Sequence, residues 1–226
     1  MKKKLTIVFM GDSCIDAGRD RTRPTESFGN GYVAMVTAML RQRLPRIDFT
    51  FVNSGISGDT SAGCLDRWDA DVAAYQPDLV VLAVGSNDAY LFSENNSPDF
   101  YGVKAYRARM EQMFTHAFAK GAGRMLLLGP HHLGRVDEDL SALITKNMPA
   151  VLPVYRRASR AVARKFGVLF LDQQVWFEKE RELLAPTLIA PDYVHPTTYG
   201  NAIVAQHLAD ELEKMIREKQ KRRKIK

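Results

Sequence analysis

The sequence predicts an α/β protein, a three-layer α/β/α sandwich built on a five-stranded parallel sheet. Two observations predict it. Short apolar runs alternate with longer stretches of helical period along the chain. The runs are also so apolar that both faces of a sheet made from them need covering. In chain order the predicted strands are Leu5–Met10 (LTIVFM), Ile47–Val52 (IDFTFV), Leu79–Val84 (LVVLAV), Met125–Leu128 (MLLL) and Val168–Leu171 (VLFL). Between them the period predicts helices over about 30–43, 61–75, 103–120 and 150–166, and a last one over about 197–219. In that last helix Ile203, Val204, His207, Leu208, Leu212, Met215 and Ile216 recur at three- and four-residue spacing, one buried stripe with charges on the other face. Segments 88–100 and 129–147 read as the two longer irregular stretches, each following a strand, where such folds carry specificity.

A chain of 226 residues supports one sizeable core, so a single domain over 1–216 is expected, followed by a basic tail over 217–226. The net charge of +6 sits at the ends: the tail REKQKRRKIK holds seven bases and one acid, and Lys2, Lys3 and Lys4 add three more. The body between is slightly acidic, which argues against a nucleic-acid channel. The opening MKKKLTIVFMGDS imitates a secretory leader, but its apolar run is short and no small-residue cleavage site follows. No run approaches the roughly 18 apolar residues of a membrane span. Cys14 and Cys64 offer neither a disulfide framework nor metal spacing, so a reducing, cytoplasmic location is expected.

Ligands of an open α/β sheet bind beyond the carboxyl ends of its strands, and the polar, glycine-containing segments of this chain fall there. Strand 1 ends in Gly11, Asp12 and Ser13; strand 2 runs into NSGISGDTS (Asn53–Ser61); strand 3 runs into Gly85, Ser86, Asn87 and Asp88. Far along the chain, APDYVHP sets Asp192 three residues before His195, ahead of the last helix. A serine hydroxyl is a weak nucleophile that needs an imidazole to take its proton, and the imidazole needs a carboxylate to fix its tautomer. Ser13, His195 and Asp192 suit those three roles, and Pro196 keeps His195 extended and off the following helix. An acyl-transfer site also needs donors where the oxyanion develops; the Ser13 N–H, the Gly58 N–H and the Asn87 side-chain amide are the candidates. Gly58 suits close approach because it lacks a Cβ, and Gly11 is expected to free the backbone for the turn. Asp12 is a supporting residue at that turn.

These residues, in this order, resemble the SGNH (GDSL) hydrolase superfamily, named for its functional Ser, Gly, Asn and His. The counterparts are Ser13, Gly58, Asn87 and His195, and the Asp-x-x-His element matches Asp192–His195. The stretches GDSCIDAGR, FGNGYV (Phe28–Val33), NSGISGDT, RWDADV (Arg67–Val72) and QPDLVVLAVGSND are similar to the acetylxylan esterase branch. The chain departs from that branch at Cys14 and Ile15, where Ile-Thr is more familiar, and at Ser86. The resemblance implies a flavodoxin-like sheet and a cofactor-free serine esterase acting on small O-acyl esters, acetylated sugars or oligosaccharides among them. A thioesterase or lysophospholipase on the same scaffold is the enzymatic alternative.

A flavodoxin-like nucleotide-binding module is the non-enzymatic alternative, but neither G-x-G-x-x-G nor the P-loop pattern occurs. His131 and His132 in GPHHLG have no metal-site companions and are expected to line the pocket. Tyr90, Phe92, Trp176 and Phe177 are candidates for shaping an acyl or sugar site; Trp68 reads as core, and His116 and His207 as structural. Cys14 adjoins Ser13, so its side chain is expected to point elsewhere. Association into a homo-oligomer is left open.

Overall fold

The computed structural model describes residues 3–95, 97–119 and 123–224, the last six of these by their backbone alone. Five strands, β1 (Lys3–Gly11), β2 (Ile47–Gly55), β3 (Leu79–Ala83), β4 (Met125–Leu128) and β5 (Leu169–Leu171), pair in the order β2-β1-β3-β4-β5. Every pairing is parallel. The order reverses between β1 and β3, so a crevice opens beyond their carboxyl ends.

The helices are α1 (Ser13–Asp16), α2 (Tyr32–Arg43), α3 (Ser61–Asp66), α4 (Trp68–Asp71), α5 (Ser86–Asn95), α6 (Val103–Ala119), α7 (Met148–Phe166), α8 (Gln173–Arg181), α9 (Pro186–Ile189) and α10 (Thr198–Lys224), with a 3-10 turn at Ala73–Tyr75. Successive residues of β1 point to opposite faces. Ile7 and Phe9 join Tyr32, Val36, Leu40, Phe177, Leu208 and Leu212 under α2, α8 and α10. Val8 and Met10 join Trp68, Tyr106, Met110, Phe114, Leu152 and Val162 under α4, α6 and α7. The two cores explain why the strand has no polar face, and they confirm the three-layer sandwich.

Several element boundaries differ from the sequence expectation. The helix expected over 61–75 is three pieces, α3, α4 and the 3-10 turn. It breaks at Arg67, whose side chain turns inward to hold the Ser54 and Gly11 carbonyls at two strand ends and the carboxylates of Asp59 and Asp71. The stretch 88–100, expected to be irregular, contains most of α5, whereas 129–147 is irregular as expected. The last helix continues past 219 to Lys224. The side chains of the basic segment from residue 219 on, and residues 225 and 226 altogether, lie outside the described residues. Among the described residues no helix is long and apolar enough to cross a membrane.

Gly11 serves a different purpose from the one its sequence context suggests. It is still within β1, paired with Gly55 and Ala83. A Cβ there would lie 2.0 Å from the Ala83 carbonyl oxygen. The residue is small so that three strands can approach, not to make a turn.

Candidate active site

The carboxyl end of β1 delivers Asp12 and Ser13 into the crevice. Asp12 is the N-cap of α1, its carboxylate accepting from the Cys14 N–H at 3.1 Å. Ser13 is therefore the first residue of a helical turn, and its own N–H has no protein acceptor among the described residues. Its hydroxyl meets His195 Nε2 at 2.8 Å across 182 residues of sequence. The other ring nitrogen, Nδ1, faces Asp192 Oδ2 at 2.6 Å. The second carboxylate oxygen, Oδ1, accepts from the His195 N–H at 2.7 Å and the Val194 N–H at 3.0 Å. The aspartate thus fixes both the ring and the backbone that carries it.

Electrostatics follow from these contacts. The bond to Asp192 raises the His195 pKa above the ordinary histidine value, with partial burial opposing. Burial alone would raise Asp192, but the His195 ring and the two N–H donors outweigh it and hold the carboxyl well below the usual range. Asp12 is 5% exposed, and burial pushes its carboxyl up to about 7 against the pull of the Cys14 N–H. The Cys14 thiol points beneath the histidine loop, 3.9 Å from the Val194 carbonyl, as expected, and burial pushes its pKa well up.

The ends of β2 and β3 supply the rest. Gly58 has φ +81°, and a Cβ there would meet nothing within 4 Å. Glycine is required at that position for its left-handed backbone rather than for space, and its N–H is free of protein acceptors among the described residues. Asn87, in the first turn of α5, donates one amide hydrogen to the Asp59 carbonyl at 2.9 Å, leaving the other for the crevice. The structure therefore brings Ser13, His195 and Asp192 into one chain of contacts, with Gly58 and Asn87 linked through the 58–59 segment.

Two neighbours of the site, Arg67 and Asp88, had no role assigned to them by the sequence. Arg67, 16% exposed, bonds Asp59 at 2.7 Å and Asp71 at 2.7 Å. It also donates to the carbonyls of Ser54 at 2.7 Å and Gly11 at 3.2 Å. It ties the ends of β1 and β2 to the residue that follows Gly58. Asp88 is fully buried and receives the N–H and hydroxyl of Ser61.

Other expectations are corrected. His131 and His132 lie behind the crevice wall, not in it: each is 2% exposed, one bonded to the Val194 carbonyl and the other to Thr145. Trp176 stacks on His207 at 4.4 Å, Phe177 is in the core, and Phe92 packs against Tyr155. Of the four aromatic candidates, Tyr90 is the one that lines the hollow beside His195. Trp68 is core, as expected.

Residues 9–203 match the GDSL-like Lipase/Acylhydrolase family. The chain belongs to that family. It is an SGNH esterase, a carboxylic ester hydrolase, and the resemblance read from its motifs is confirmed. An acetylxylan esterase of Geobacillus stearothermophilus is 31% identical over 214 residues, 91% of this chain and 93% of the relative. The crystal structure of Axe2, an acetylxylan esterase from Geobacillus stearothermophilus, superposes with TM-score 0.80 at 28% identity, covering 93% of this chain and 96% of that one. LAE5, an α/β hydrolase enzyme from the metagenome of Lake Arreo, gives TM-score 0.80 at 29% identity over 91% of this chain and 93% of its own. Esterase TesA of Pseudomonas aeruginosa is 29% identical over 158 residues, 66% of this SGNH esterase and 70% of the relative.

Proposed function

We propose that this SGNH esterase hydrolyses small O-acyl esters, acetyl groups on carbohydrate among them, by way of an acyl-enzyme on Ser13. The observation that carries the reading is the continuous contact Ser13 Oγ–His195 Nε2–Asp192, 2.8 and 2.6 Å at its two joints. As Oγ attacks the ester carbonyl carbon, its proton passes to Nε2 and the carbonyl π electrons move onto oxygen. The oxyanion is met by the N–H groups of Ser13 and Gly58 and the free amide hydrogen of Asn87, donors of a kind worth roughly 2.7–4 kcal/mol each. Collapse breaks the bond to the alcohol oxygen, which takes the proton back from Nε2. Water, deprotonated by the same ring, then releases the acid and restores the hydroxyl.

The carbohydrate preference draws its support from the acetylxylan esterase relatives, whose structures include catalytic mutants of one serine, one aspartate and one histidine. Two measurements test the proposal. Ser13→Ala abolishes turnover of p-nitrophenyl acetate with the fold intact; full residual activity removes Ser13 from the chemistry. Acetylated xylo-oligosaccharides release acetate on incubation with the wild-type enzyme; no release from any acetylated sugar, with p-nitrophenyl acetate still cleaved, rejects the carbohydrate.

A further inference from the structure

Beside His195 the surface is hollowed into a mostly apolar cavity of about 150 Å³. Its walls are Tyr90 from α5, Leu143 and Ile144 from the segment leading into α7, Met148 from the first turn of α7, and Val194 from the histidine loop. Ser86, Asn87, Thr145, Asp192 and His195 also line it, and His195 brings it beside the reacting hydroxyl.

Two of these walls are held from behind by the adjacent histidines. His131 Nε2 bonds the Val194 carbonyl at 2.8 Å. His132 Nδ1 accepts from the Gly134 N–H at 3.0 Å, which puts its proton on Nε2, and Nε2 donates to Thr145 Oγ1 at 3.0 Å. Leu143 and Met148 are fixed by turn bonds, Leu143 N–H to Leu140 and Met148 N–H to Thr145, both 2.9 Å. Leu140 is itself buried. The cavity is therefore walled by segments that are held in place from behind.

The geometry points to a pocket for the acyl chain of the substrate, taking linear acyl groups of about four to six carbons. The inference rests on the proposed role of Ser13 and widens the acyl scope beyond acetyl. Size argues for it: an apolar cavity of about 150 Å³ accepts benzene, about six carbon atoms, whereas an acetyl methyl leaves most of it empty. Polarity argues which half of the ester enters. The exposed lining is mostly apolar, so a sugar ring pushed into it strips more hydroxyls of water than the few polar groups there can pair, a large penalty. The alcohol half is left the side of Gly58, where a Cβ would meet nothing within 4 Å.

A p-nitrophenyl ester series from acetate to decanoate, with methyl hexanoate and hexyl acetate as a second pair, tests this. For the wild type, kcat/KM rises on the order of fourfold per methylene from acetate to butyrate, levels by hexanoate and falls at octanoate. Leu143→Trp fills the pocket and lowers the hexanoate-to-acetate ratio at least tenfold; Leu143→Ala moves the optimum toward octanoate. His132→Phe, which removes the hold on Thr145, raises the octanoate-to-butyrate ratio. Ratios within one preparation are insensitive to partial misfolding. A wild-type optimum at acetate, or at octanoate and longer, overturns the inference, as does a profile unchanged by both Leu143 variants. If the variants track hexyl acetate rather than methyl hexanoate, the cavity serves the alcohol and the inference is wrong. Ser13→Ala separates the two levels: an active variant removes the underlying mechanism, whereas an inactive one beside a flat chain-length profile removes the pocket alone.

Discussion

Replacing Asp192 by asparagine distinguishes a carboxylate that sets the histidine tautomer from one that merely shapes a loop. The carboxylate uses Oδ1 for two backbone donors, His195 N–H and Val194 N–H, and Oδ2 for the ring. An asparagine must keep its oxygen toward the two N–H groups, because its NH2 would meet donors there with nothing to accept. Its NH2 then faces Nδ1 and donates to it, so the ring proton moves to Nε2, the nitrogen 2.8 Å from the Ser13 hydroxyl. The base becomes a donor toward the group it should deprotonate. By analogy with the same exchange in a serine protease, kcat falls by about 10⁴. Burst-free hydrolysis of p-nitrophenyl acetate at pH 8, with near-UV circular dichroism on the same samples, measures it. Asp192→Ala leaves the ring free to choose either tautomer, so it is no worse than Asp192→Asn despite losing two backbone bonds. An asparagine variant keeping more than a tenth of wild-type kcat would falsify the tautomer argument. So would an alanine variant far below it.

Three further outcomes follow from the same geometry. The base must be neutral and the Asp192 bond raises the His195 pKa, so kcat/KM is lost as pH falls through a midpoint above about 6.5. Asp192→Asn moves that midpoint down, and an acid limb centred near 4 assigns it to another group. The Asp12 carboxyl, pushed up to about 7 by burial, takes up protons on folding, so its contribution is greatest in acid and is lost as pH rises toward 7. Asp12→Asn, which keeps an N-cap acceptor, gains stability over wild type by up to about 1.4 kcal/mol per unit between pH 4 and 7; urea unfolding at both ends of that range that shows a constant difference refutes the shift. Gly58→Ala loses roughly 1–2 kcal/mol for a left-handed backbone and lowers kcat at least tenfold; Gly58→Asn, which tolerates that region better, recovers part of the stability, and equal damage from both variants points to crowding instead.

The strands were legible because β1 and β3 are buried on both faces, and burial on both faces leaves an unbroken apolar run. The pairing of Ser13 with His195 was legible for a chemical reason, since a hydroxyl, an imidazole and a carboxylate complete one another. What escaped was what depends on distant partners that residue type does not announce. The stretch from Asp88 on read as irregular, yet Ser86, Asn87 and Asp88 open α5, where the Asp88 carboxylate receives the N–H and hydroxyl of Ser61, a partner 27 residues away. Arg67 sat in a plausible helix, and its turn into the site depends on carbonyls from two strands. The two glycines exchanged reasons: Gly11 needs room and Gly58 needs its dihedral, and residue type alone does not separate these.

The contact between Ser13 and His195 is held largely by groups outside it. Tyr193 stands at φ +67°, an unfavourable region for a residue with a Cβ. Its carbonyl receives the Leu133 N–H at 2.8 Å, and the next carbonyl, of Val194, receives His131. On the other side Asn201 accepts from the Tyr32 N–H at 2.9 Å and donates to the Pro196 carbonyl at 2.8 Å, so the starts of α2 and α10 are locked together just beyond the histidine. These bonds to backbone fix where residues 193–196 lie whether or not the Ser13 hydroxyl is present. The imidazole is therefore preorganised by the segment after β4 and by the first turn of α10. The serine is placed separately by β1 and its cap. A hydrogen bond between groups 182 residues apart costs little conformational entropy to form when each end is already fixed.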